Sequence, residues 1–392
     1  MIHVLSVFGT RPEAIKMAPL IRELERRPGV RSTVCVTAQH REMLDQVLNI
    51  FGIVPDYDLN IMRPGQSLST ITTASLLGLE AVLREVRPDL LLVHGDTTTC
   101  LSGALAAYYQ QIPIGHVEAG LRSDNKYSPY PEEMNRQLTD RLSDLLFAPT
   151  DHSREQLLRE HLPEDRIHVT GNTVIDALRY TVSDRYSHPL LSLLRPDQRL
   201  ILLTAHRREN LGEPLRSIYR AARRLAEAFP DVQILCPLHL NPAVRSAARE
   251  ILSGCGRILL TEPPDVVAFH NLLSRAALIL TDSGGIQEEA AALQKPVLVL
   301  RETTERPEGV AAGALRLVGV EEDRILREAS RLLGDPNELA KMSAAGNPFG
   351  DGHAGERIAD IIENEFLSDR RTCSTSSPNY IRSSENTVCG VS

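Results

Sequence analysis

Tryptophan is absent from this chain of 392 residues, and aromatic residues make up only 4% of it. A base-stacking platform for single-stranded nucleic acid is built from such rings, so the composition argues against one. An excess of basic residues is missing too. The net charge is -8, whereas a general nucleic-acid binder presents a basic surface. That balance leaves room for a local cationic pocket. No apolar run crosses a bilayer's width without a charge interrupting it, so no membrane span is expected. The opening stretch MIHVLSVFGT has neither a positive leader nor a cleavage site and reads as a strand, so a cytoplasmic protein is expected. Cysteine is sparse: Cys35, Cys100, Cys236, Cys255, Cys373 and Cys389 lie far apart with no CxxC pair, which excludes zinc-knuckle and thioredoxin-like spacing. Reduced thiols are expected for the first four. His239 has no second His or Cys at ligand spacing, so no metal is expected. Neither GxGxxG nor a P-loop follows any candidate strand, so no dinucleotide or other cofactor is expected.

What is present points to α/β architecture. The length exceeds what one hydrophobic core usually supports, which favours two domains. Short β-rich apolar runs alternate with longer amphipathic stretches, the pattern of βα units on parallel sheets. In the first half the runs are Ile2–Phe8, Thr33–Thr37, Leu90–His94, Ile114–Val117, Leu145–Ala148 and Ile167–Thr170. In the second they are Leu200–Thr204, Val232–Leu235, Ile258–Leu260, Leu278–Thr281 and Val297–Leu300. All are predominantly apolar, as expected of strands covered on both faces. The expected fold is therefore two Rossmann-like domains facing across a cleft, residues 1–172 and 173–350. A Ser-, Pro- and Arg-rich linker is expected over Tyr180–Arg199. The stretch 367–392, polar and without apolar periodicity, reads as a disordered tail.

Ligands of open parallel sheets bind beyond the carboxyl ends of the strands, so the residues after each strand carry the functional reading. After the first strand, Pro12 suits a helix start, placing Arg11 and Lys16 where they meet an anion or simply face solvent. Asp96, after Leu90–His94, reads equally as an acid/base group or a helix N-cap. Glu118 ends a buried strand, where an unpaired carboxylate is costly. Glu132 opens a helix with Glu133 beside it, and the helix dipole accounts for one of those acids. Three such carboxylates in one half suggest a general acid/base set.

The second half supplies His206 and two arginines at a strand end, then Ser283-Gly284-Gly285 opening a helix. Glycines there let backbone N–H groups approach phosphate oxygens. Glu289, further along that helix, is either a ribose acceptor or a surface acid. The charge run Arg301–Glu308 reads as a solvated loop. Asp56-Tyr57-Asp58 has the DxD spacing of metal-dependent transferases but follows Pro55 in a polar stretch and reads as a turn.

Taken together and in order, FGTRPEAIKMAPLI, VTAQHREMLDQVL, HGDTTT, GHVEAGLRS, PEEMNR, VTGNTVIDAL, AHRREN, TDSGGIQEEA and ETTERPEGV closely resemble the non-hydrolysing bacterial UDP-N-acetylglucosamine 2-epimerases, from Met1 to about Glu365. The resemblance implies the GT-B glycosyltransferase-like fold, a homodimer, and a last helix, about 353–366, crossing back to the first domain. It implies interconversion of UDP-N-acetylglucosamine and UDP-N-acetylmannosamine for surface polysaccharide. Residue by residue, Asp96, Glu118 and Glu132 match the family's catalytic carboxylates and His206 its catalytic-site histidine. Arg11 and Lys16 match side chains at the diphosphate, Ser283, Gly284 and Gly285 the phosphate loop, Glu289 the ribose contact, and Arg306 a further substrate contact. Phe269 matches a residue lining the uracil pocket, and Pro264 stands beside the uracil where relatives often place Gln. Glu42 and Gly65 fall where members with a second, regulatory substrate site tend to use Gln and Arg, so the resemblance does not extend to substrate activation. Rival readings are a UDP-sugar glycosyltransferase of the same fold, a hydrolysing epimerase, an epimerase for a modified UDP-N-acetylhexosamine, and a non-catalytic UDP-sugar sensor.

Overall fold

A computed structural model describes residues 1–38, 41–63 and 65–373. The Glu42 side chain, those of 367–373, and all of 374–392 with Cys389 lie outside the described residues. The first sheet contains β1 (Ile2–Phe8), β2 (Val30–Val36), β3 (Tyr57–Asp58), β4 (Leu90–His94), β5 (Ile114–Val117), β6 (Leu145–Ala148) and β7 (Ile167–Val169), in spatial order β3-β2-β1-β4-β5-β6-β7. The second contains β8 (Arg199–Thr204), β9 (Val232–Pro237), β10 (Ile258–Thr261), β11 (Leu278–Thr281), β12 (Val297–Val299) and β13 (Leu315–Leu317), in order β10-β9-β8-β11-β12-β13. Every pairing is parallel. Central strands are buried along their length because helices cover both faces.

Strand order reverses between β1 and β4 in the first sheet and between β8 and β11 in the second. Such switch points leave a crevice at the carboxyl ends of the strands. The helix Arg11–Arg26 shows why the sequence covers the sheets so well. Met17, Leu20, Ile21 and Leu24 recur at helical spacing, and all four are fully buried. Each contributes about 1.5–3 kcal/mol relative to exposure.

Several local readings need correction. Asp56-Tyr57-Asp58 is not a turn: Tyr57 and Asp58 pair with Cys35 and Val36 as the short edge strand β3. An edge strand is half-solvated and tolerates polar residues, which hid it from an apolar-run search. β13 was missed for a similar reason, since a partly exposed Arg316 sits at its centre. The linker Tyr180–Arg199 is partly structured, with a helix ending at Thr181, a short helix over Pro189–Ser192, and Arg199 already in β8. The last helix, Ala354–Cys373, runs past its expected end and packs on the helix Arg11–Arg26. Gly355 lies against the Leu20 backbone, and Arg27 Nη1 donates to Glu363 Oε2 at 2.6 Å. Among the described residues, no helix is long and apolar enough to cross a membrane.

Candidate functional site

Every site residue singled out from the sequence lines one cavity of about 680 Å³, which both switch points face. In the first half its floor is tied together by Glu13. The backbone N–H groups of Gly9 and Thr10, just after β1, donate to Glu13 Oε2 at 3.0 and 2.8 Å. Thr97 Oγ1, just after β4, donates to Glu13 Oε1 at 2.6 Å. One buried carboxylate thus registers the two turns that flank the switch point. Burial pushes Glu13 upward, and its hydrogen bonds from Thr97, Gly9 and Thr10 oppose that shift. Thr97 is also the N-cap of the helix Thr98–Tyr109, so Asp96 does not cap it. The Asp96 carboxylate instead meets Arg136 Nη2 at 2.7 Å.

Glu118 follows β5 with φ +70, a left-handed conformation that costs a non-glycine residue on the order of 1 kcal/mol. Burial alone would raise its pKa, but Lys16, His94 and Arg306 hold it well below the usual carboxylate range. Lys16 Nζ lies 2.6 Å from both carboxylate oxygens, and His94 Nε2 lies 3.0 Å from Oε2. Asn172 Nδ2 bridges Glu118 Oε1 at 3.3 Å and Glu288 Oε2 at 3.1 Å. Glu288 in turn accepts from Arg306 Nε at 2.9 Å. Glu132, half-buried at the start of the helix Glu132–Leu142, completes the acids of this wall.

The opposite wall comes from the second sheet. Asp282 Oδ2 accepts from the backbone N–H of His206 at 2.9 Å, that of Arg207 at 2.8 Å, and Asn210 Nδ2 at 2.9 Å. This fixes the turn after β8. Burial draws the His206 pKa down, with Asp282 opposing and His239, Arg207 and Arg11 adding to the fall. His239, isolated in sequence, stacks on the His206 ring at 4.9 Å. No group of three or more His, Cys, Asp or Glu among the described residues could hold a metal. Ser283 caps the helix Gly284–Ala292. A Cβ on Gly284 would sit 3.0 Å from Arg306 Nη1 and 3.4 Å from Arg207 Nη2, so two guanidiniums crowd this helix start. Gly285 meets nothing within 4 Å. Glu289 reaches into the cavity with an oxygen 3.6 Å from His270 Nε2, while Pro264 and Phe269 line the same space.

The charge run Arg301–Glu308 is solvated only in part, at Glu302, Thr303 and Pro307. Arg301 is buried, and Glu305 and Arg306 are about a tenth exposed. Despite burial, Arg301 and Arg306 hold the Glu305 carboxyl at about 2. Residues that the sequence reading passed over include Glu13, His94, Arg136, Asn172, Asp282 and Glu288. Glu288 was legible: it lies four residues from Gly284 and three from Ala291, on the buried face of its helix. Asn172 carried no such signal.

Backbone fit around the acids is equally tight. Gly120 has φ +87, and a Cβ there would stand 2.4 Å from the Ser153 carbonyl oxygen. Gly120→Ala is therefore expected to destabilise the protein by about 2–4 kcal/mol, from strain and overpacking together. Urea denaturation measures this, and a loss below about 0.5 kcal/mol would show that the turn yields freely.

Paired parallel sheets, with acids on one wall and a cationic helix start on the other, make an α/β cleft of the kind in which enzymes hold anionic ligands. Comparison with known proteins narrows the class. The family model described as UDP-N-acetylglucosamine 2-epimerase matches residues 22–363. UDP-N-acetylglucosamine 2-epimerase of Bacillus subtilis is 56% identical over 361 residues, 92% of this chain and 95% of that one. The crystal structure of UDP-GlcNAc 2-epimerase from Neisseria meningitidis bound to UDP-GlcNAc is 50% identical with a TM-score of 0.87, over 93% of this chain and 100% of that one. The glycotransferase of kitacinnamycin, 17% identical over 93% of this chain and 98% of that one with a TM-score of 0.60, shares the fold alone, which is GT-B-like. The chain belongs to the UDP-N-acetylglucosamine 2-epimerase family, and as an epimerase it is an isomerase.

Proposed function

We propose that this enzyme reversibly inverts carbon 2 of UDP-N-acetylglucosamine to give UDP-N-acetylmannosamine, by eliminating and re-adding UDP through a glycal. The observation that carries this reading is the placement of Asp96, Glu118 and Glu132 in one cavity with the Ser283–Gly285 helix start and Arg306. The hydrogen on carbon 2 is not acidic, because no carbonyl adjoins it. Breaking the bond from carbon 1 to the diphosphate oxygen puts positive charge beside it, and a carboxylate then takes the proton. The products of that half-reaction are UDP and the glycal. A second acid protonates carbon 2 on the other face, and the UDP oxygen re-forms its bond to carbon 1.

Arg11, Lys16, His206 and the Ser283–Gly285 helix start form the cradle for the leaving diphosphate. Preorganised donors of this kind contribute about 3–4 kcal/mol each to the transition state. Lys16 links the two halves of the chemistry. Its ammonium meets both Glu118 oxygens at 2.6 Å, so a diphosphate that draws it away leaves Glu118 a stronger base. Glu289 serves the ribose, and Pro264 and Phe269 the uracil. Relatives that bind UDP-GlcNAc in crystals support the substrate. The reading extends, on the resemblance of the sequence motifs alone, to a non-hydrolysing, homodimeric, cytoplasmic enzyme feeding surface polysaccharide.

Proton NMR of UDP-N-acetylglucosamine with enzyme in heavy water tests the reading. The manno epimer should accumulate as its UDP form with deuterium at carbon 2, and no acceptor should be needed. Epimer without solvent deuterium rejects proton transfer through carboxylates, whereas free N-acetylmannosamine identifies the hydrolysing reaction instead.

A further inference from the structure

Behind the proposed acids lies a buried pair that the chemistry above does not use. His116, in β5, and Asp140, in the helix Glu132–Leu142, are both fully buried, with His116 Nδ1 2.6 Å from Asp140 Oδ1. His116 Nε2 lies 2.7 Å from the Gly95 carbonyl oxygen, which can only accept, so this nitrogen donates. Gly95 is the left-handed residue, φ +67, that turns the chain from β4 into Asp96. On its other side, Asp140 Oδ2 accepts from the Gly120 N–H at 3.3 Å and lies 2.7 Å from Arg122 Nη2. Gly120 closes the turn that begins at Glu118. Burial would raise the Asp140 pKa, yet His116 and Arg122 keep it below the usual value.

The same helix reaches the acids by three further routes. Its first residue is Glu132. Asn135 Nδ2 donates to the Asp96 carbonyl at 2.9 Å, and Arg136 Nη2 meets the Asp96 carboxylate at 2.7 Å. We propose that Asp140 and His116 are positioning residues: the pair fastens the Gly95 and Gly120 turns to the helix bearing Glu132, so that all three carboxylates share one register. This rests on the proposed roles of Asp96, Glu118 and Glu132. Both turns hold left-handed residues, and displacing a reacting group by about 1 Å costs up to roughly a hundredfold in rate.

The test separates positioning from bulk stability. Gln at 116 places its amide near the Nε2 position, keeping the bond to Gly95 and losing the one to Asp140, whereas Asn places its amide near Nδ1 and does the reverse, so each cuts the link at one end. Both His116→Asn and His116→Gln are expected to lower kcat by roughly ten- to a hundredfold. UDP affinity by calorimetry should stay within about twofold in both, because the uridine wall belongs to the other sheet. Native kcat in either variant, or parallel loss of UDP binding, overturns the proposal. Hydrogen exchange on the unaltered enzyme needs no variant to fold. The Gly120 amide should be strongly protected, and exchange at the rate of an open loop also overturns it. Full turnover in Asp96→Asn and Glu118→Gln would instead remove the catalytic reading, and Gly120 protection would still decide whether the pair holds its turn.

Discussion

Glu118→Gln is expected to lower turnover by at least about a hundredfold while leaving UDP binding intact. Glutamine keeps the shape and the contact with Asn172 but can neither accept a proton nor hold the Lys16 ammonium as a charge. In the unliganded enzyme the substitution strands a buried cation, because Lys16 is pushed above its ordinary value only by Glu118 and Glu288 acting against burial. A diphosphate restores a partner to that cation, so UDP should bind at least as tightly as to the native protein. Asp96→Asn should show the same separation, with the Arg136 contact weakened and uridine recognition unchanged. Single-turnover assays and calorimetry measure the two quantities separately. Native turnover in both variants would refute the acid/base assignment. Loss of UDP binding along with turnover would show that the acids serve the ligand rather than the proton.

Arg306→Leu is expected to be the most damaging single change to the cleft. The guanidinium meets Glu288 at 2.9 Å and Glu305 at 3.7 Å, with about a tenth of its side chain exposed. Burial pushes Glu288 above its ordinary value even beside Arg306 and Lys16. Removing the arginine leaves a buried carboxylate with Asn172 and the more distant Lys16 for compensation, which typically costs about 3–5 kcal/mol. Urea denaturation should register that loss. Adding Glu288→Gln should recover part of it, because a neutral amide is far cheaper to bury than a lone carboxylate. A double variant no more stable than the single one would rule out the stranded charge as the cause. UDP affinity should remain weakened in the double variant if Arg306 also faces the phosphates from the Gly284 helix start.

Short-range physics made a large part of this protein legible without coordinates. β1, β4, β5, β6 and β11 begin and end where their apolar runs do, since a strand buried on both faces is a near-continuous apolar run. Ser283-Gly284-Gly285 and the Pro12 helix start are equally local, because turn and cap chemistry is written within a few residues. Local rules failed where a neighbour from elsewhere intervened. Thr97 displaced Asp96 as the cap when Asp96 turned to Arg136, and Arg301, Glu305 and Arg306 turned inward onto one another, Glu209 and Glu288 instead of facing water.

The sequence by itself determined the central strands, the residues that end them, and the family those residues belong to. Tertiary structure alone decided which strand ends meet. Lys16 and Glu118 are 102 residues apart, and Asn172 and Glu288 are 116 apart. Their pairing depends on β1 lying beside β4 and on the second sheet facing the first. Strand order is a property of the packed sheets, and no spacing along a single chain encodes it.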